Sequence, residues 1–89
     1  MASNKPIRYT RHAETVLEER KINRDWVETT LFTPDWDSID PAAPEITRRY
    51  RPVPERDGRI LRVVFVETPD EIRILSAYFD RGARKPHAG

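Results

Sequence analysis

The first third of the chain carries apolar residues at helical spacing. Ala13, Val16 and Leu17 lie at positions i, i+3 and i+4, and the preceding Thr10 is a residue type that caps helix N-termini. This pattern predicts a first helix over residues 11–20. Its narrow apolar stripe is typical of a helix that buries one side and leaves the other in water.

A second helix is predicted to follow closely. It begins after Asn23, another capping residue type, and ends near Phe32, because Pro34 disfavours helix at the residue before it. Its buried stripe has four members: Trp26, Val27, Thr30 and Leu31. A short leading strand is expected over residues 7–9, before both helices.

The apolar period changes to two in the second half of the chain, which is typical of strands. Three strands are predicted, over residues 46–53, 59–66 and 71–79. The segment 35–45 before them contains prolines, which block strand pairing, and it is predicted to be a connecting loop.

The turn between the last two strands decides which of their side chains meet the helices. A hairpin closed on Thr68-Pro69 places Phe65 opposite Ile72 and directs one apolar set towards the helices. That set contains Leu61, Val63, Phe65, Ile72 and Ile74. The uncovered face then receives Arg62, Val64, Arg73, Leu75 and Ala77.

The first hairpin is predicted to close tightly on Asp57-Gly58, a strong turn signal. This register places Arg49 and Arg51 on the uncovered face and Tyr50 on the helix side. A bulge at Gly58 shifts the strand by one residue and exchanges Arg49 and Arg51 for Arg48 and Tyr50. In both registers arginines gather on the uncovered face with few carboxylates to offset them.

The length of 89 residues predicts one domain. The expected fold is α+β, with two N-terminal helices packed on a three- to four-stranded antiparallel sheet. The domain spans residues 1–89, with an ordered core over about 7–80 and a basic tail over 81–89. A chain of this size buries about 60–65% of its unfolded surface, so a site is expected in a shallow groove or an interface.

The composition excludes several kinds of site. The chain has no cysteine, which excludes a disulfide framework, a thiolate zinc site and a cysteine nucleophile. No apolar run approaches the roughly 20 residues of a membrane span, and residues 1–5 lack the apolar segment of a signal peptide, so a cytoplasmic location without membrane contact is expected. Asp35, Asp37 and Asp40 lack the glycine and terminal glutamate of a calcium loop, so neither a metal nor another cofactor is expected.

The net charge of +1 conceals an asymmetry between the two halves of the chain. Residues 1–43 carry 6 Lys and Arg against 8 Asp and Glu, whereas residues 44–89 carry 10 against 7. The basic excess lies in the predicted sheet and is nearly all arginine, which suits bidentate contact with phosphates. It suits an acidic peptide equally well, and a plain solvated sheet face is the alternative interpretation.

Several short motifs resemble known families. Tyr9-Thr10-Arg11-His12-Ala13, Glu19-Arg20-Lys21-Ile22 and Pro34-Asp35 resemble the opening of a widespread prokaryotic family of domains of unknown function. Residues 58–65 and 72–78 are similar both to that family and to BrnT-type toxins. The resemblance covers about residues 7–79 and implies a RelE/ParE-like fold and a relative of toxin–antitoxin proteins.

The resemblance implies a metal-independent ribonuclease or translation inhibitor, with RNA or the ribosome as target and a cognate antitoxin protein as partner. Such RNA cleavage needs a base, an acid and cations that stabilise the phosphorane. Four residues are candidates for this catalysis: Arg62, Arg73, Tyr78 and His12. Four others are candidates for binding nucleic acid or a partner: Arg49, Arg51, Arg81 and Lys85.

A non-catalytic interaction module on the same fold, binding a protein or nucleic acid, is the alternative function. Tyr78 stands where BrnT-type proteins continue a Ser-Ala pair with arginine, and the sequence offers no evident acid–base pair. Both hypotheses therefore stay open on the sequence alone.

Overall fold

A computed structural model describes residues 5–86, which form two helices and one sheet. The elements in chain order are β1 (Ile7–Tyr9), α1 (Arg11–Arg20), α2 (Arg24–Phe32), β2 (Trp36–Ile39), β3 (Ile46–Val53), β4 (Arg59–Glu67) and β5 (Ile72–Phe79). The five strands lie in the order β1-β5-β4-β3-β2. β1 pairs with β5 in parallel, and the other neighbours pair antiparallel.

Both helices begin at the predicted caps. The Thr10 side chain accepts a hydrogen bond from the backbone N–H of Ala13 at 3.1 Å, and Asn23 accepts one from the N–H of Asp25 at 2.8 Å. α1 ends at Lys21, which has a left-handed φ of 56° although glycine is the residue type that adopts this conformation most easily. The bounds predicted for the two helices are confirmed.

The helices pack on one face of the sheet and bury the predicted apolar stripes there. Val27 and Leu31 of α2 are buried against the same cluster as Leu61, Val63 and Phe65 of β4. Ile72 and Ile74 of β5 complete that face, which confirms the predicted core set. Burial of these side chains is the main term that holds the helices on the sheet.

The predicted arrangement of two N-terminal helices on a three- to four-stranded antiparallel sheet is wrong. The described chain begins with β1, the leading strand expected over residues 7–9, and the sheet has five strands and is mixed because β1 joins it in parallel. β1 joins β5 through hydrogen bonds from the N–H of Ile72 to the carbonyl of Pro6 and from the N–H of Thr10 to the carbonyl of Ile74. Parallel partners so distant in sequence share no turn, so no local signal predicts their pairing.

The prediction of a loop over residues 35–45 is wrong for Trp36–Ile39, which form β2. The prolines at 34, 41 and 44 flank Trp36–Ile39 instead of interrupting it. The strand therefore keeps all its N–H donors and pairs with β3 at the edge of the sheet, where short strands are common.

The first hairpin does not close on a two-residue turn. A single 3-10 turn over Pro54–Arg56 follows β3, and then Asp57 and Gly58 both take left-handed backbone with φ of 59° and 74°. This five-residue connection pairs Arg51 with Leu61 and Tyr50 with Arg62. The predicted place of Arg49 and Arg51 on the uncovered face is therefore wrong, and Arg48 and Tyr50 lie there, as in the alternative register.

The second hairpin is also longer than predicted. Four residues connect its strands, and the Thr68 hydroxyl accepts hydrogen bonds from the N–H groups of Asp70 and Glu71. Phe65 consequently pairs with Ile74 and not with Ile72. A register shift beside Phe65 then leaves Leu75 without a partner in the ladder.

This bulge reverses the faces of the last residues of β5. Ala77 is fully buried opposite Val63, so its predicted place on the uncovered face is wrong, and Ser76 and Tyr78 lie on that face instead. Within residues 5–86, no helix has the length and apolar content needed to cross a membrane. The last three residues of the tail predicted over 81–89 lie outside the described residues.

Candidate nucleic-acid interface

The sheet face opposite the helices is the candidate interface, and we call it the open face. Strand alternation and the observed registers assign its residues from β2 to β5. They include Trp36, Ser38, Arg48, Tyr50, Arg62, Val64, Arg73, Ser76 and Tyr78. Both helices belong to the other side of the sheet, so in the described part of the chain neither of them covers this face.

Four residues in direct register form a row across the open face, which we call the cross-strand row: Trp36, Tyr50, Arg62 and Tyr78. The Trp36 and Tyr50 rings are stacked, with centroids 4.7 Å apart and planes within 7°. The Arg62 guanidinium lies 5.9 Å from the Tyr50 centroid and 5.1 Å from that of Tyr78. The row therefore places one cation between a stacked pair of rings and a third ring.

Arg62 is the fixed centre of this row. Its Nη1 donates a hydrogen bond to Oδ2 of Asp80 at 3.0 Å, and its side chain is only 20% exposed. Its Nε is buried and has no hydrogen-bond partner among the described residues. The Arg62 guanidinium therefore has one ion pair and one Nε without a partner, and it lies between two rings.

Carboxylates neutralise the other arginines of the open face. Arg48 forms an ion pair with Asp40 at 2.7 Å, and Arg73 pairs with Glu71 at 2.8 Å. The pKa of Asp40 is held below its usual value, first by the backbone N–H of Ala42 and then by Arg48. The open face is thus less electropositive than its arginines alone predict.

The three closely spaced aspartates each face a cation of the protein. Asp35 contacts Lys85 at 3.2 Å, Asp37 lies 4.0 Å from Arg49, and Asp40 pairs with Arg48. In residues 5–86 no three carboxylate or imidazole side chains come together as metal ligands.

Arg49 and Arg51 lie on the helix side and satisfy the end of α2. Arg49 Nη1 donates to the carbonyl of Leu31 at 2.7 Å, and Arg51 Nη1 donates to that of Thr33 at 2.6 Å. The Arg49 guanidinium also lies 4.8 Å from the Phe65 ring centroid. Cations at a helix C-terminus stabilise its free carbonyls, which accounts for both residues structurally.

We expect Arg49→Ala to lower the free energy of unfolding by about 1–3 kcal/mol, because the carbonyl of Leu31 loses a charged donor. Urea denaturation followed by circular dichroism measures this change. Arg11→Ala is the matched control, because Arg11 is exposed at the start of α1. Equal stability of the two variants would show that the α2 contact contributes nothing.

The structure brings together only two of the four predicted catalytic residues, Arg62 and Tyr78. His12 is exposed in the first turn of α1, which packs on the helix side of the sheet. Arg73 lies near the opposite end of β5, beside Arg8 of β1. Of the predicted binding residues in the tail, Lys85 pairs with Asp35, and Arg81 lies beyond the end of β5.

The residues that sequence reasoning missed are Trp36 and Tyr50. Trp36 lies in the segment predicted as a loop, and Tyr50 is predicted on the helix side in the first register. The segment Trp36–Ile39 does not alternate between apolar and polar residues, so the sequence carries little signal for the missed strand. Tyr50 depends on the turn geometry, and the bulged alternative places it correctly.

Comparison with known proteins gives one match. Residues 9–79 match the family DUF4258, described as a domain of unknown function. The matched span contains the whole cross-strand row and ends just before Asp80. No curated protein and no solved structure matches the chain. The expected relation to RelE, ParE and BrnT proteins is untested by this match and stays a prediction.

Proposed function

We propose that this chain, which belongs to the DUF4258 family of domains of unknown function, binds single-stranded RNA across the open face. The observation that carries the proposal is the cross-strand row of three aromatic rings and one arginine. Single strands bind to such surfaces because unpaired bases stack on aromatic rings while cations contact the backbone.

The dimensions of the row suit a short single strand. It crosses four strands of the sheet, which corresponds to about 14 Å. Trp36 and Tyr78 lie at its two ends and are partly exposed, whereas Tyr50 is only 7% exposed. The two end rings therefore offer stacking surfaces for two bases, and Arg62 lies between them for a phosphate.

Two hydroxyls on the same face favour RNA over DNA as the ligand. Ser38 lies beside Arg48 in the β2–β3 ladder, and Ser76 lies beside Val64 in the β4–β5 ladder. Both are partly exposed. Hydroxyls at this position can exchange hydrogen bonds with the ribose 2′-OH, the group that distinguishes RNA from DNA.

We expect Trp36→Leu to weaken the binding of a short single-stranded RNA about tenfold, because loss of one base–aromatic stack costs roughly 1–3 kcal/mol. Fluorescence anisotropy of a labelled oligonucleotide with hydroxyl ends measures the affinity. Phe32→Leu is the matched control, because it removes an aromatic ring that is 58% exposed at the end of α2. Equal affinity of the wild type and Trp36→Leu would contradict the proposal.

A second candidate is the toxin-like ribonuclease or translation inhibitor with a cognate antitoxin. The contact between Arg62 and Tyr78 favours it, because the guanidinium lies 5.1 Å from the centroid of a ring that carries a phenolic proton donor. The RNA 2′-hydroxyl would lose its proton to solvent water and attack phosphorus, and the bond from phosphorus to the 5′-oxygen would break to leave a 2′,3′-cyclic phosphate. Arg62 would stabilise the phosphorane, and Tyr78 would protonate the departing 5′-oxygen.

Tyr78→Phe separates the two candidates, since it keeps the ring and removes the proton donor. Primer extension on cellular RNA after induction detects cleavage as new 5′ ends. New ends with the wild type and none with Tyr78→Phe favour the ribonuclease. No new ends with the wild type, together with binding to the labelled RNA, favour the binding module.

A further inference from the structure

A basic cleft lies at the end of the sheet, where the end of α1, the β3–β4 connection and the end of β5 meet. Its volume is about 550 Å³, within the usual range for sites that hold a small ligand. The lining includes Arg20, Arg56, Arg59, Phe79, Asp80 and Arg81. Four arginines therefore face one aspartate.

The one carboxylate of the cleft does not neutralise these arginines. Asp80 Oδ2 accepts the hydrogen bond from Arg62 at 3.0 Å, and its Oδ1 accepts one from the N–H of Gly82 at 2.9 Å. Three of the four arginines are exposed, and their side chains form no ion pair or hydrogen bond with any residue in 5–86: Arg20, Arg59 and Arg81. The positive charge of the cleft is thus left for an external anion.

Arg56 is held in place by the protein. Its guanidinium lies 5.0 Å from the Phe79 ring centroid and 5.9 Å from that of Trp26, and Nη1 donates to the carbonyl of Lys21 at 3.3 Å. Cations stabilise the negative end of a helix, and this structural role explains Arg56 and Arg20 at the C-terminus of α1. The same role does not explain Arg59, which lies on β4, or Arg81, which follows β5.

We propose that this cleft binds a terminal phosphate, the phosphomonoester of an RNA end or of a free nucleotide. A phosphomonoester carries about −1.5 to −2 charges at pH 7, more than the single charge of an internal phosphodiester. Arginine binds phosphate oxygens through paired N–H donors, and four arginines offer more such donors than one internal phosphate accepts.

The cleft and the open face share a boundary. Tyr78 belongs to the cross-strand row, and the next residue, Phe79, lines the cleft. Asp80 lines the cleft and holds Arg62 of the row. An RNA strand whose end lies at Tyr78 therefore has that end near the cleft. The claim that the phosphate belongs to an RNA end rests on the proposed function. The claim that the cleft binds a phosphate rests on the cleft residues alone.

The first test compares three otherwise identical RNA oligonucleotides, one with a 5′-phosphate, one with a 3′-phosphate and one with hydroxyl ends. We expect one of the two phosphates to raise affinity about tenfold, the gain typical of charged hydrogen bonds. The double variant Arg59→Gln/Arg81→Gln should lose this ratio. The control Arg11→Gln/Arg84→Gln removes the same charge from exposed residues outside the cleft lining and should keep it.

The second test separates the cleft from the open face. Adenosine 5′-monophosphate and adenosine are titrated into ¹⁵N-labelled protein, and the amide shifts of Gly58 and Gly82 are followed. Shifts with the nucleotide alone, lost in Arg59→Gln/Arg81→Gln, support the cleft even where the oligonucleotides do not bind, and then assign free nucleotides as the source. Equal affinity of all three oligonucleotides together with no nucleotide shifts would overturn the proposal.

Discussion

Replacing Phe65 with alanine is expected to lower the free energy of unfolding by about 3–5 kcal/mol. Phe65 is 1% exposed in β4, in the buried cluster that the helices share with the sheet. Its removal leaves a cavity and withdraws the ring beneath Arg49, which satisfies the end of α2. Native domains have only about 5–15 kcal/mol of stability, so a large share is lost.

Urea denaturation followed by circular dichroism measures this loss. Phe32→Ala is the matched control, because the same side chain is 58% exposed there, and we expect a change within about 0.5 kcal/mol. A Phe65→Ala variant as stable as Phe32→Ala would mean that the helices do not pack on β4 as described.

The double variant Trp36→Leu/Tyr78→Leu is expected to weaken RNA binding about a hundredfold. Each ring offers one stacking surface worth roughly 1–3 kcal/mol, and the two lie at opposite ends of the cross-strand row. Leucine keeps apolar bulk on the sheet, so the fold should survive, and circular dichroism checks this.

Trp36→Phe/Tyr78→Phe is the matched control for the double variant. It keeps an aromatic surface at both ends of the row and should bind RNA within a few fold of the wild type. If both double variants bind RNA as the wild type does, stacking on the open face plays no part in recognition.

Local signals in the sequence suffice for the helices and for most of the core. Thr10 and Asn23 cap the helices as predicted, because capping depends on a few neighbouring residues. The apolar period likewise identifies the buried residues of β4 correctly. These features need no knowledge of what lies elsewhere in the chain.

Strand order and register need information that is not local. β1 pairs with β5 across almost the whole chain, and β2 is a four-residue edge strand with little signal of its own. The register of β3 depends on the left-handed backbone of both Asp57 and Gly58, which turns a two-residue hairpin into a five-residue connection. A shift by an odd number of residues exchanges the two faces.

The candidate site likewise combines residues that local sequence signals identify with residues that depend on strand order and register. Arg62 and Tyr78 are predicted as site residues from the sequence, and in the structure the Arg62 guanidinium lies 5.1 Å from the Tyr78 ring centroid. Trp36 and Tyr50 join them only through β2 and the β3 register, so the aromatic character of the row is not predictable. The same β3 register places Arg49 and Arg51 on the helix side of the sheet, where they contact the end of α2.

Titration of ¹⁵N-labelled protein with a hydroxyl-ended single-stranded RNA tests the central claim most directly. The chain has two tryptophans, so their indole N–H signals report on two places: Trp36 on the open face and Trp26 on α2. We predict shifts for the Trp36 indole and for the amides of Tyr50, Arg62 and Tyr78, with the Trp26 indole unchanged. Shifts confined to α1 and α2, or a shifted Trp26 indole beside an unchanged Trp36, would contradict RNA binding on the open face.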